Sequence, residues 1–135
     1  ELTLAEALMR PTRIYVASCL SAIRAGLVKG LSHITGGGLI DNPPRVIPEN
    51  TFARINFDAW PLPPEFEWLR QIGEIEIEEM ARTFNCGIGM IAIVAKDKVK
   101  DAIVHFQVAG ETAWVIGSIE KSDGTPYVEL ISGES

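Results

Sequence analysis

The stretch His33-Ile34-Thr35-Gly36-Gly37-Gly38-Leu39 holds the residues best suited to chemistry. Glycine reaches positive φ without steric cost and lets a ligand or another backbone come close. A run of glycines after a strand can therefore turn successive N–H groups onto an anion such as a phosphate. Thr35 adds a hydroxyl that can donate to that anion or cap the turn that follows. His33, just upstream, brings an imidazole, a side chain that can touch a phosphate, orient an amide or exchange a proton near neutral pH. Without a ligand the same residues would form a tight structural turn beside a hydrogen-bonding histidine. His105, by contrast, falls off the apolar face of its own helical pattern and reads as surface.

A second turn, Asn85-Cys86-Gly87-Ile88-Gly89, also combines a polar side chain with glycines that permit close approach, or that merely end a helix before a strand. Arg45 and Arg82 can clamp a phosphate bidentately, or sit in ordinary surface ion pairs. Cys19 and Cys86 show no metal-type spacing and read as reduced, buried thiols. Glu74, Glu76, Glu78 and Glu79 fall in the first turns of a helix, where the dipole favours negative charge, rather than in a metal-ligand array. No nucleophile–base pair and no Walker lysine is present. Taken by themselves, these residues describe an incomplete site for a phosphate-bearing ligand.

These turns must be positioned by regular elements. Thr3 with Glu6 has capping-box spacing for a helix to Met9, and Arg13 to Val16 reads as a short strand. Val16, Leu20, Ile23 and Leu27 recur at helical spacing, with Gly30 placed to end the helix. Leu31 to Ile34 is the strand feeding the glycines, and Asn42-Pro43-Pro44 excludes regular structure after them. Phe52 to Phe57 alternates as a half-exposed strand. Pro64 opens a helix faced by Phe66, Leu69 and Ile72, and Ile77, Met80, Ala81 and Phe84 mark the next. Met90 to Ala95 is apolar throughout, as a central strand covered on both faces would be. Val99, Ala102, Ile103 and Phe106 give a further helix. Ala113 to Ile119 reads as a buried strand, joined to Tyr127–Leu130 by a hairpin at Ser122-Asp123-Gly124. The expected class is α/β (α+β): one layered domain over residues 1–135, its mixed sheet covered by helices.

At 135 residues and 47% hydrophobic, the chain can bury a core as a single domain. Its 12 basic against 18 acidic side chains, net −6, argue against nucleic acid and anionic membranes as partners. No apolar run approaches the ~20 residues of a membrane span. A first residue other than methionine suggests a piece of a longer protein.

Three separated motifs, His33 to Leu39, Asn42-Pro43-Pro44-Arg45-Val46-Ile47-Pro48 and Arg82-Thr83-Phe84-Asn85-Cys86-Gly87-Ile88-Gly89-Met90, together resemble the C-terminal half of the aminoimidazole ribonucleotide synthetases. These enzymes are also called phosphoribosylformylglycinamidine cyclo-ligases. The likeness runs from Arg10-Pro11-Thr12-Arg13-Ile14-Tyr15-Val16 to Trp114-Val115-Ile116-Gly117. It implies ATP-dependent closure of formylglycinamidine ribonucleotide to aminoimidazole ribonucleotide in purine biosynthesis. It also implies a cytoplasmic two-domain protein, homodimeric at full length, whose absent N-terminal domain holds ATP and Mg2+. This piece would then be inactive alone and monomeric or weakly associated. The resemblance carries over the His33–Gly38 turn and, secondarily, the Thr83-Phe84-Asn85 turn. With the reading of the residues above, His33 is the expected catalytic residue and Thr35, Gly36, Gly37, Gly38, Arg45 and Asn85 the expected substrate and phosphate ligands, with no metal ligands here. The alternatives are a non-catalytic phosphate-binding or assembly module, or a domain of a relative such as a selenophosphate synthetase. The Pro11–Tyr15 and Arg82–Asn85 motifs favour the cyclo-ligase.

Overall fold

The computed structural model describes residues 15–133, so the expected helix from Thr3 to Met9 lies outside the described residues. Tyr15 leads directly into helix α1 (Val16–Arg24), which corrects the extended reading at Val16. The helix ends before Gly30: Gly26 takes φ 71°, its N–H bonds Ile23 O at 3.0 Å, and Leu27 N–H reaches back to Ala22 O at 3.1 Å. That is a left-handed glycine C-cap.

The face of α1 is also corrected. Ser18, Cys19 and Ala22 are buried, whereas Val16, Leu20 and Ile23 are exposed. Hydrogen bonds orient the helix in place of its apolar stripe. Ser21 Oγ lies 2.8 Å from His105 Nε2 in the later helix α5 (Val99–Val108), and Ser18 Oγ donates to Glu111, just past the end of that helix, at 3.2 Å. His105, read as surface, is therefore in part a helix-to-helix contact.

Strand β1 (Gly30–His33) pairs antiparallel with β3 (Met90–Ile93), from Gly30 opposite Ile93 to His33 opposite Met90. Among the described residues β3 is half-buried and bonded to β1 alone, which differs from the doubly covered central strand its composition suggests. The centre of the larger sheet is β2 (Thr51–Asn56), flanked by β4 (Gly117–Lys121) antiparallel and β5 (Tyr127–Ile131) parallel. The sheet is mixed, as expected, but by a different route. β4 and β5 do not form a hairpin, because Asn50 inserts between them. Its N–H donates to Gly124 O at 2.8 Å, its O accepts from Ser122 N–H at 2.9 Å, and its Oδ1 accepts from Gly124 N–H at 2.9 Å. The strand that follows Asn50 then occupies the middle. Trp114 and Val115, expected in a buried strand, precede β4 and stay exposed.

Between these strands run α2 (Gly38–Asp41), a 3-10 turn at Pro43–Arg45, α3 (Pro64–Gly73) and α4 (Ile77–Thr83). The two prolines are accommodated by that short helix, whose first residues need no N–H partner. α3 buries no residue fully, and Glu74, rather than Gly73, takes the left-handed φ of 49° that ends it. The core gathers Ile34, Leu39, Ala53, Ile55, Phe57, Trp60, Met80, Cys86 and Ile88, with Leu39, Met80 and Cys86 fully enclosed. It links both sheets to α2 and α4, the elements beside the glycine turns.

Candidate functional site

Because His33 faces Met90 across the β1–β3 ribbon, the turn leaving β1 and the turn entering β3 lie at one end of it. The ladder runs one step further: Ile34 N–H donates to Gly89 O at 3.0 Å. The two glycine turns noticed in sequence are thus neighbours in space.

Their glycines do different work. Gly38 is buried with φ 59°, and an added Cβ would overlap Ala81 O and stand 2.7 Å from Phe84 O. Its N–H already bonds Thr35 O at 2.9 Å. Gly37 has φ 95°, and a Cβ there would come 2.7 Å from the Asp41 Cβ. Gly36 is exposed with nothing within 4 Å of such an atom. The N–H groups of Gly36 and Gly37 donate to no acceptor among the described residues. Two of the three glycine amides thus have no protein acceptor among the described residues, and the third is structural.

Asn42, 5% exposed, organises this turn from beneath. Its Nδ2 lies 3.2 Å from Thr35 O, 3.3 Å from Gly36 O and 2.9 Å from Gly38 O. Its Oδ1 accepts from the Thr35 hydroxyl at 3.3 Å. Thr35 thus spends its one hydrogen on the frame of the turn. Reading the sequence for ligands missed Asn42, although an Asn before Pro-Pro is a turn-forming signal.

His33 is exposed at the end of β1, with the Tyr15 ring edge-on to it at 6.2 Å and 69°. Asn85 forms the corner of the second turn: its Oδ1 accepts from Gly87 N–H at 2.9 Å, and its O accepts from Ile88 N–H at 2.9 Å. Gly87 packs on Pro63, whose Cγ would stand 2.6 Å from an added Cβ. Arg45 is exposed and makes no ion pair among the described residues. Arg82 instead lies 3.3 Å from Asp41 and 3.6 Å from Glu78, which removes it as a free clamp and offsets the carboxylate beside Gly37.

Cys86 is a core residue. Its Sγ donates to Met80 O at 3.5 Å, and burial pushes its thiol up to about 12, leaving no thiolate for catalysis at neutral pH. Cys19 is likewise raised, first by burial. Among the described residues no three His, Cys, Asp or Glu side chains converge as a metal site. The described residues therefore offer no ready-made ligand cluster for Mg2+.

Two concavities flank the turns. One, about 360 Å3, is lined by Tyr15, Gly87, Gly89 and the apolar residues between the two sheets. The other runs past Asp41 and Arg82 to α3 and β5. Neither is lined by His33, Thr35 or Gly36, which stand on an open surface. Such an edge can receive the end of a ligand and needs a second surface to enclose it.

Residues 1–129 match the family described as "AIR synthase related protein, C-terminal domain", and the chain belongs to that family. Among full-length relatives, it is 55% identical over 129 residues to the phosphoribosylformylglycinamidine cyclo-ligase of Cupriavidus pinatubonensis, covering 95% of this chain and 37% of that protein. The cyclo-ligase of Cupriavidus metallidurans is 54% identical over the same length and shares. That of Chromobacterium violaceum is 47% identical over 130 residues, 96% of this chain and 38% of the relative. The chain spans a little over a third of the length of these curated relatives. No helix among the described residues is long and apolar enough to cross a membrane.

Proposed function

We propose that this chain is the C-terminal domain of a phosphoribosylformylglycinamidine cyclo-ligase and supplies one wall of its active site. The observation that carries the reading is the 55% identity to a cyclo-ligase over 95% of the chain. The meeting of the two glycine turns at one end of the β1–β3 ribbon supports it.

In this proposal the Gly36 and Gly37 amides seat the phosphate of formylglycinamidine ribonucleotide. Thr35, Gly38 and Asn42 hold the turn in shape, while Arg45 and the Asn85 side-chain amide approach from either side. His33, the proposed catalytic residue, contacts the reacting amide at the cleft edge. ATP and Mg2+ would be held by the remainder of the protein. Transfer of the γ-phosphoryl group to the formyl oxygen makes that oxygen a leaving group. The amidine nitrogen then attacks the same carbon, the C–O bond breaks, and phosphate departs as the imidazole ring closes. Positioning and charge stabilisation, rather than a protein nucleophile, carry such chemistry. The whole protein would be a cytoplasmic homodimer. Its substrates would be formylglycinamidine ribonucleotide and ATP, and the net charge of −6 on this chain opposes binding of nucleic acid to it.

A chimera tests the reading. The matching segment of the Cupriavidus pinatubonensis enzyme is replaced by this chain, and ring closure is assayed with ATP and formylglycinamidine ribonucleotide. Activity near that of the parent is expected, with His33→Ala lowering kcat. A folded chimera that leaves this substrate untouched would contradict the assignment.

A further inference from the structure

Of the Pro11–Tyr15 motif only Tyr15 lies among the described residues. That residue is where the separate motifs meet. Its ring stands edge-on to His33 of the first glycine turn, with centroids 6.2 Å apart at 69°. Its hydroxyl occupies the space a Cβ would take at Gly89 of the second turn, and its Cζ would lie 2.9 Å from such an atom. Gly89 in turn accepts the bond from Ile34 that continues the β1–β3 ladder past His33. At the other end Tyr15 is held by α1, since its carbonyl accepts from Cys19 N–H at 2.9 Å and lies 3.1 Å from Ser18 Oγ, whose one hydrogen it shares with Glu111. An aromatic ring anchored at its backbone and wedged against two strands has little freedom.

We propose that Tyr15 is a positioning residue of this site: it braces the His33 imidazole and fixes the spacing of the two glycine turns. The glycine at position 89 follows from the same arrangement, because any side chain there would displace the tyrosine. The inference rests on the reading of His33 and the Gly36–Gly37 amides as a ligand site, but the brace itself can be observed without a ligand.

The two histidines make the test internal. In 1H–13C spectra of this chain, Tyr15→Ala should shift the His33 ring resonances and leave those of His105, held by Ser21, in place. Tyr15→Phe, which keeps the ring, should restore the His33 resonances. Tyr15→Leu keeps apolar bulk without an aromatic ring and serves if the alanine variant does not fold; it should behave as alanine does. A second readout uses inorganic phosphate, followed at the Gly36 and Gly37 amides. Its affinity should weaken about tenfold in the alanine and leucine variants, as expected when a ligand group is misplaced by a fraction of an ångström. Unchanged His33 resonances in a folded Tyr15→Leu protein overturn the brace. If phosphate leaves those amides unmoved in the unaltered chain, the phosphate seat fails instead, and the His33 spectra alone decide the role of Tyr15.

Discussion

The two glycine turns look alike in sequence and differ in what their glycines do. In the second turn the glycines are constrained by neighbours: Gly87 abuts Pro63 and Gly89 abuts Tyr15. In the first, Gly38 is pressed against the carbonyls of α4, but Gly36 faces open space. A glycine that permits close packing of the protein on itself and one that permits approach of a ligand are indistinguishable as letters. The distinction rests on what a methyl group would meet. By that measure only Gly36 of the first turn is open, since a methyl group on Gly37 would meet Asp41, and the second turn is mainly scaffold.

Substitutions can break or sharpen this contrast. The largest effect is expected for Gly38→Ala, where positive φ and overlap with backbone carbonyls combine to a loss of about 4 kcal/mol in urea unfolding. Next comes Asn42→Ala, which strands the carbonyls of Thr35, Gly36 and Gly38 and should lower stability by about 2–3 kcal/mol. Near-native stability for both variants would mean that the first turn is not framed as described.

Cys86 gives a pH test of the scaffold turn. A thiol raised to about 12 in the fold, against 9.0 in the open chain, favours the folded state fully below pH 9; that contribution is lost as pH rises towards 12. Stability should therefore decline across that window, and the decline should be blunted in Cys86→Ala once its lower starting stability is allowed for. The smallest effect on the fold belongs to Gly36→Ala, at most about 0.5 kcal/mol, because no neighbour opposes the methyl group. The same change should nonetheless weaken anion binding at the adjacent amides.

Elements set by local chemistry were legible in the sequence. Pro64 opens α3, the spacing of Ile77, Met80 and Ala81 marks α4, and β2 is a strand where one was expected, although Phe52 and Ala53 are both buried and its alternation is incomplete. What long-range contacts decide was not. The exchange of a β4–β5 hairpin for insertion of β2 depends on Asn50, whose bonds to residues 122 and 124 span more than seventy positions. The orientation of α1 depends on hydrogen bonds to His105 and Glu111 that no periodicity encodes, so its apolar stripe pointed to the wrong face. At the site, the two turns could be picked out by composition, yet Asn42 and the Tyr15 brace arise only when distant segments meet.

The central claim is that the Gly36 and Gly37 amides form an anion seat at the cleft edge. Titrating ribose 5-phosphate into the 15N-labelled chain tests it most directly. The Gly36 and Gly37 amide resonances are expected to move in a saturable way while the Gly38 and Gly87 amides, already hydrogen-bonded to Thr35 and Asn85, stay nearly still. Equal movement of all four, or none at Gly36 and Gly37 up to saturating ligand, would contradict it.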